Sequence, residues 1–282
     1  MEDNFLAEFI RHSFNEDIGE GDHSSLACIP VDAKGKARLL IKENGILAGV
    51  YVAEAIFKYS DKSAVINIIN SDGTEVLPGD IAFYVSGNLQ SILRSERLAL
   101  NVMQRMSGIA TTTRRYVEQL KGLNTKILDT RKTCPGIRFL EKEAVRIGGG
   151  YNHRMGLFDM IMLKDNHIDY AGGIRPAIQR SRDYLKKTKK DLLIEIEARN
   201  LGDVEEILST GGVDRIMLDN FSVSDTRLAV EIIKGKYETE SSGGITIENI
   251  RLYAECGVNF ISVGALTRQV KSLDMSLKAV KD

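Results

Sequence analysis

From about residue 123 onward the chain repeats one unit, a short apolar strand followed in most cases by a longer helical pattern. The strand-like runs are 126–129, 160–164, 192–197, 215–219, 237–241 and 260–264, and helical patterns cover 172–188, 201–209, 223–234 and 246–256. This alternation dictates a parallel sheet, because parallel neighbours need a long crossover and a helix supplies it. The strands are apolar almost throughout, which fits burial on both faces. A polar residue or a glycine closes nearly every one: Asp129, Lys164, Glu197, Asp219, Ser242 and Gly264. In a βα barrel such C-terminal strand ends converge on one face, where the active site lies. The units number fewer than the eight of a complete barrel. No G-x-G-x-x-G follows the first strand, as an open dinucleotide-binding sheet would require. An incomplete, open α/β barrel is the expected fold for this part.

The preceding stretch reads differently. A helix is expected over 5–14, strands over 37–42, 63–69 and 81–86, a helix over 51–59 and a turn over 74–80. Leu98, Val102, Met106 and Ile109 then recur at helical spacing within a long pattern over 93–120. Gly108 interrupts that pattern and marks either a kink or a close contact.

Charge narrows the function classes. The 282 residues carry 38 basic and 39 acidic side chains, a net charge of −1, so no global field attracts nucleic acid or an anionic membrane. No apolar run approaches the roughly 20 residues that span a bilayer, and the acidic N-terminus does not read as a signal peptide. Cys28, Cys134 and Cys256 are odd in number and far apart, which points away from disulfides or zinc and towards the cytoplasm. Cys134 is expected to be an inert thiol, since no histidine lies near it in sequence.

Against that neutral background, Arg131, Lys132, Arg138, His153, Arg154 and Lys164 fall within one short stretch among glycines and strands. They predict a small ligand with more than one anionic group, arginine suiting a carboxylate and lysine acting as a point charge. Ser241-Ser-Gly-Gly-Ile-Thr246 and Ser262-Val-Gly-Ala-Leu-Thr267 close the last two strands, where barrels often bind phosphate through backbone N–H groups and a helix N-terminus. Glu197 and Asp219 have no helical neighbour in position to neutralise them. Beside a phosphate they suit Mg²⁺, sugar hydroxyls or an oxocarbenium-like transition state. Glu195 shares the face of Glu197 but lies further from the strand end. His153 reads equally as a base or as a plain hydrogen-bonding residue, His167 as a support, and His12 and His23 carry no signal.

Together these motifs resemble the nicotinate-nucleotide pyrophosphorylase (carboxylating) family, also called quinolinate phosphoribosyltransferase. The resemblance covers nearly the whole chain, through Glu16-Asp-Ile-Gly-Glu-Gly-Asp22, Gly45-Ile-Leu-Ala-Gly49, Ser95-Glu-Arg-Leu-Ala-Leu-Asn101, Ser107-Gly-Ile-Ala-Thr111, Asp129-Thr-Arg-Lys-Thr133, Gly148-Gly-Gly-Tyr-Asn-His-Arg154, Leu163-Lys-Asp-Asn-His167, Leu218-Asp-Asn220, Ser242-Gly-Gly244 and Val263-Gly-Ala-Leu-Thr267. It implies that quinolinate and phosphoribosyl pyrophosphate give nicotinate mononucleotide, pyrophosphate and CO₂, with Mg²⁺, in de novo NAD biosynthesis. It also implies an N-terminal α/β sandwich domain over 1–108, an open α/β barrel over 109–270, and a C-terminal helix over 271–282 packing back on the first domain. A homodimer with shared active sites, or a hexamer, is the implied assembly.

Residue by residue, the resemblance implies that Arg131, His153 and Arg154 hold the quinolinate carboxylates, with Arg97 supplied by a second subunit. Lys132 and Lys164 would stand where the dicarboxylate meets the pyrophosphate. Glu197 and Asp219 would bind ribose hydroxyls and Mg²⁺. Ser242, Gly243 and Gly244, with Val263, Gly264 and Ala265, would cradle the 5′-phosphate. One stretch departs from the pattern, Glu195-Ile-Glu-Ala-Arg-Asn200, where Ala198 and Arg199 replace a more apolar and a less basic residue. Two other readings stay open. One is a related protein of molybdenum transport, which lacks the run at 163–167. The other is a silent nucleotide-binding homologue, against which Glu197, Asp219 and the cations argue.

Overall fold

The computed structural model describes residues 2–280. In chain order its first elements are α1 (Glu2–Ile18), α2 (His23–Cys28), β1 (Lys34–Ile41), β2 (Gly45–Ile46), α3 (Val50–Ser60), β3 (Val65–Ile68), β4 (Glu75–Val76), β5 (Ile81–Asn88) and α4 (Leu89–Gln119). There follow β6 (Lys126–Leu128), α5 (Arg138–Ile147), β7 (Ile161–Leu163), α6 (Asp165–Ala171), α7 (Ile174–Thr188), β8 (Ile194–Ala198), α8 (Leu201–Thr210), β9 (Arg215–Asp219), α9 (Val223–Ile233), β10 (Glu238–Ser242), α10 (Ile250–Ala254), β11 (Phe260–Ser262), α11 (Ala265–Arg268) and β12 (Met275–Ala279). Two compact units interleave along the chain: residues up to 114, 133–149 and from 267 onward form one, and 115–132 with 150–266 form the other. The 108/109 boundary falls within α4, which runs on to Gln119.

The first unit holds an antiparallel sheet in the order β12-β1-β5-β3. Alternation builds it: Ala37, Leu39 and Ile41 of β1 are buried while the alternate residues Lys36 and Arg38 are exposed and Leu40 is half-buried. Val52, Ala53, Ile56 and Phe57 of α3 are also buried, and Phe57 meets Phe83 of β5 edge-on with centroids 5.9 Å apart. The expected C-terminal helix is corrected here, because its described part forms β12. Met275 pairs with Ile41 and Leu277 with Leu39. Both are buried, and they alternate with Ser276 and Lys278, so the period is that of a strand, and pairing satisfies the backbone edge of β1.

Gly108 marks a close contact. A Cβ there would stand 2.3 Å from the Lys271 carbonyl oxygen. In an open helix, Gly→Ala gains about 1 kcal/mol. At this site the collision is with backbone and dominates, so Gly108→Ala is expected to lower stability by about 1–3 kcal/mol in denaturant titrations. A gain in stability would refute the contact.

The second unit is a parallel sheet in the order β6-β11-β10-β9-β8-β7. This is barrel order left open between β6 and β7. At that seam Tyr151 runs beside β6, its N–H donating to the Ile127 carbonyl (2.8 Å) and its carbonyl accepting from Asp129 N–H (3.1 Å). β8 is buried along its whole length, as a strand covered on both faces must be. The connecting helices are amphipathic and capped. In α7, Ile174, Ala177 and Ile178 are buried. Asn200 and Ser222 cap α8 and α9 by accepting from the N–H groups of Asp203 and Asp225.

Candidate active site

Strand geometry sorts the inward side chains of the second unit into two layers. Residues two apart share a face, so Glu195 and Glu197, Arg215 and Asp219, and Glu240 and Ser242 point alike in pairs. Register aligns Glu195 with Arg215, and Asp219 with Ser242. The layer at the strand ends carries Glu197, Asp219 and Ser242; the layer below carries Glu195, Arg215 and Glu240.

At the strand ends, Lys164 Nζ is paired with Glu197 Oε1, and Asp165 N–H donates to Oε2 (3.3 Å). The sequence reading found no helical neighbour in position to neutralise Glu197; the partner comes from the turn after β7, because parallel pairing brings residues 33 apart together. Lys164 is itself held, its N–H donating to His167 Nδ1 at 3.0 Å, so His167 acts as the support expected. Asp219 receives Asn220 Nδ2–H at 2.8 Å. Burial, then the charge of Glu197, lifts the Asp219 carboxyl above the usual range, with Lys164 opposing.

Lys132 has different neighbours from those of Lys164. A Cβ at Gly264 would meet Lys132 Cδ at 3.2 Å and Nζ at 3.8 Å, so this side chain lies along the turn after β11. Val263 N–H donates to the Leu128 carbonyl, tying that turn to β6. In the other turn, Gly243 and Gly244 have φ of +89° and +61°, a region open to glycine at little cost. The helix expected over 246–256 shortens to α10, and α11 is a single turn. Anion binding here would therefore rest on turn amides more than on helix termini.

Asp129, fully buried after β6, organises the next group. It accepts from Asn152 Nδ2–H (2.5 Å) and from His153 N–H (2.9 Å). That fixes the segment carrying His153 and Arg154 in the barrel seam. Burial, then the neighbouring Arg131 charge, holds Arg154 below its usual pKa. Glu195, Asp159 and Glu197 act on Arg154 in the opposite sense, and two neighbouring guanidinium groups suit a carboxylate. In the first unit, Arg97 is exposed on α4 and Arg138 Nε donates to Thr133 Oγ1 (2.9 Å). Cys134 lies 3.1 Å from Arg105, with its N–H on Glu141.

The lower layer was barely legible beforehand. His153 Nε2 stands 2.9 Å from Glu195 and 3.4 Å from Glu240, and Arg215 bridges Glu240 and Glu238 at 3.1 Å each. Burial alone would neutralise the imidazole, but the carboxylates reverse this and raise its pKa to about 9. The Arg154 N–H, donating to Nδ1 at 2.7 Å, resists the second proton. That hydrogen bond needs Nδ1 free of a proton, so it opposes the pull of the two carboxylates. Burial, then the Glu240 charge, lifts Glu195 to about 7. Glu240 is held low, against burial, by His153, Ser262 and Arg215. His153, Glu195 and Glu240 have the spacing of a metal triad, but Arg215 already supplies the positive charge. A Glu within a buried strand, as in Glu238-Thr-Glu240, was the sequence signal for this network.

The sign of the pH effect follows. A pKa raised from 6.5 to about 9 favours protonation in the folded state. That stabilisation is complete below about pH 6.5, shrinks above it, and is gone beyond about pH 9. The Tm is expected to fall between about pH 7 and 10, and to fall less steeply in His153→Gln. Equal slopes in thermal melts of the two proteins would exclude this role.

Comparison with known proteins places this arrangement in context. Residues 22–107 match the family model "Quinolinate phosphoribosyl transferase, N-terminal domain", and 109–278 match its C-terminal counterpart. The chain is similar to a chloroplastic nicotinate-nucleotide pyrophosphorylase [carboxylating] of Arabidopsis thaliana, with 45% identity over 97% of this chain and 82% of the relative. A probable nicotinate-nucleotide pyrophosphorylase [carboxylating] of Synechocystis is 41% identical over 95% of this chain and 90% of its own length. Among solved structures, the nicotinate-nucleotide pyrophosphorylase from Francisella tularensis superposes with a TM-score of 0.91 at 39% identity, covering 98% of this chain and 96% of that one.

Proposed function

The chain belongs to the quinolinate phosphoribosyltransferase family, and we infer from that membership what it catalyses and how its residues divide the work. It is a pentosyltransferase of NAD biosynthesis that converts quinolinate and phosphoribosyl pyrophosphate to nicotinate mononucleotide, pyrophosphate and CO₂. The carrying observation is that carboxylates, lysines and two glycine turns all stand at the C-terminal ends of one parallel sheet. Neither alternative reading finds support in the relatives.

In our reading the 242–244 and 263–265 turns take the 5′-phosphate, and Lys132, lying along the second turn, serves the phosphate side. Arg131 and Arg154 take the quinolinate carboxylates, with His153 behind Arg154 and Arg97 supplied by a second copy of the chain. The pyridine nitrogen attacks the anomeric carbon as its bond to pyrophosphate breaks, the electron pair leaving with pyrophosphate. Glu197 and Asp219 stabilise the oxocarbenium-like charge that develops there. The adjacent carboxylate then leaves as CO₂, its bonding pair stabilised by the quaternised ring nitrogen until a proton replaces it.

The donor set fits Mg²⁺. Glu197 and Asp219 are hard oxygen donors, and the Asp219 pKa is raised by burial and then by the charge of Glu197, both of which a bound cation would offset. Bound with the donor's pyrophosphate, Mg²⁺ would neutralise the leaving group. No helix among the described residues is long and apolar enough to cross a membrane. We read the protein as a cytoplasmic homodimer, alone or within a hexamer. Its three free cysteines support a reducing compartment.

The deciding assay supplies quinolinate, phosphoribosyl pyrophosphate and Mg²⁺ and follows CO₂ release. Stoichiometric CO₂ and nicotinate mononucleotide are expected. Use of nicotinic acid with no use of quinolinate would overturn the reading.

A further inference from the structure

Asn220 has φ of +56°, a conformation uncommon for a residue with a side chain. Only Lys189 and Lys234 share this feature among the described non-glycine residues, and both cap helix C-termini, where it is routine. Asn220 caps no helix; it follows β9 directly and links two parts of the site. Its Nδ2–H donates to Asp219 Oδ2 at 2.8 Å. Its N–H donates to the Ser242 carbonyl at 2.8 Å. Its side chain also fills the space over Gly243, where a Cβ would stand 2.1 Å from Oδ1 and 2.6 Å from Cγ. One residue thus touches the carboxylate and both the carbonyl and the glycine of the neighbouring turn. Asparagine is among the side chains that best tolerate this conformation, and here it is used to make all three contacts at once.

We propose that Asn220 is a positioning residue for the phosphoribosyl donor, locking the Asp219 carboxylate to the 242–244 turn so that ribose and 5′-phosphate are gripped at one fixed spacing. This rests on the reading of that turn as the phosphate cradle. The donor carries sugar and phosphate on one rigid unit, so spacing between two grips decides affinity as much as either grip alone. On the same reading quinolinate is held by Arg131 and Arg154, away from both contacts. Gly243 follows from the same geometry, since any side chain there would displace Asn220.

Glycine accepts the left-handed backbone without strain. If Asn220 merely makes a turn, Asn220→Gly costs nothing. If it positions the donor, the same change costs affinity without costing stability. Titration calorimetry with phosphoribosyl pyrophosphate is the test, on the full chain and on Asn220→Gly, Asn220→Asp, Asp219→Asn and Gly243→Ala. Donor affinity is expected to fall about tenfold or more in Asn220→Gly, the scale of one hydrogen bond to a charged group. It should fall further in Asn220→Asp, which turns a carboxylate on Asp219. The KM for quinolinate should stay within about twofold, because the lost contact lies on the donor side. Unchanged donor affinity in Asn220→Gly, with Asp219→Asn and Gly243→Ala weakened, would overturn this inference and leave the site reading intact. Unchanged affinity in all of them would overturn both.

Discussion

Asp219→Asn is expected to lower kcat about 10²–10³-fold while leaving the Tm unchanged or slightly raised. The activity loss has the scale of removing one preorganised electrostatic contact from a charged transition state. The stability effect follows from the raised pKa: burial and the charge of Glu197 both disfavour the Asp219 carboxylate in the folded protein. A carboxyl whose pKa is raised on folding costs stability while ionised, so near neutral pH its removal relieves a cost. The amide keeps the shape of the carboxyl. Steady-state kinetics beside thermal melts decide the matter. A Tm that fell in step with activity would recast Asp219 as a structural residue. Glu197→Gln is expected to lose activity similarly but differs in stability, because it strips Lys164 of its ion-pair partner.

Arg97→Ala and Lys132→Ala are each expected to abolish activity alone and to recover it when mixed. Arg97 stands exposed on α4, and Lys132 lies against the turn at Gly264. If each site takes Arg97 from one copy and Lys132 from the other, a mixed dimer carries one site with both residues intact and one with neither. Random exchange makes half the dimers mixed, so about a quarter of wild-type activity should return. The measurement is activity after dissociation and reassociation of equal amounts. No recovery, with exchange verified by a tagged subunit, would mean that Arg97 does not complete a neighbour's site.

The strand ends were legible because a parallel strand has a two-residue period and a polar closing residue, and both survive in a bare sequence. Glu197, Asp219, Lys164 and the turns at Gly243 and Gly264 could all be placed that way. The strand β12 was missed although Met275 and Leu277 alternate with polar neighbours, since so short a run is outweighed by its position after a helical stretch. The helix α5, with Glu141 and Lys142 both buried, was not recognised because its inward face carries charge. The His153–Glu195–Glu240–Arg215 network escaped for a related reason. Its members come from β8, β9, β10 and the barrel seam, and nothing local says that they meet.

What the sequence determined by itself was the six strands of the parallel sheet and most of their crossover helices, the end of that sheet where polar residues gather, and the set of charged groups available there. These follow from periodicity and from which residue types stop a strand, both local properties. Only the tertiary structure decided how the charges pair. Lys164 joins Glu197 while Lys132 lies along the turn at Gly264, His153 is held between two buried carboxylates, and Asn220 links Asp219 to Gly243. The physical reason is that pairing energy depends on distance and burial, and the parallel sheet sets both by bringing together residues far apart in the chain.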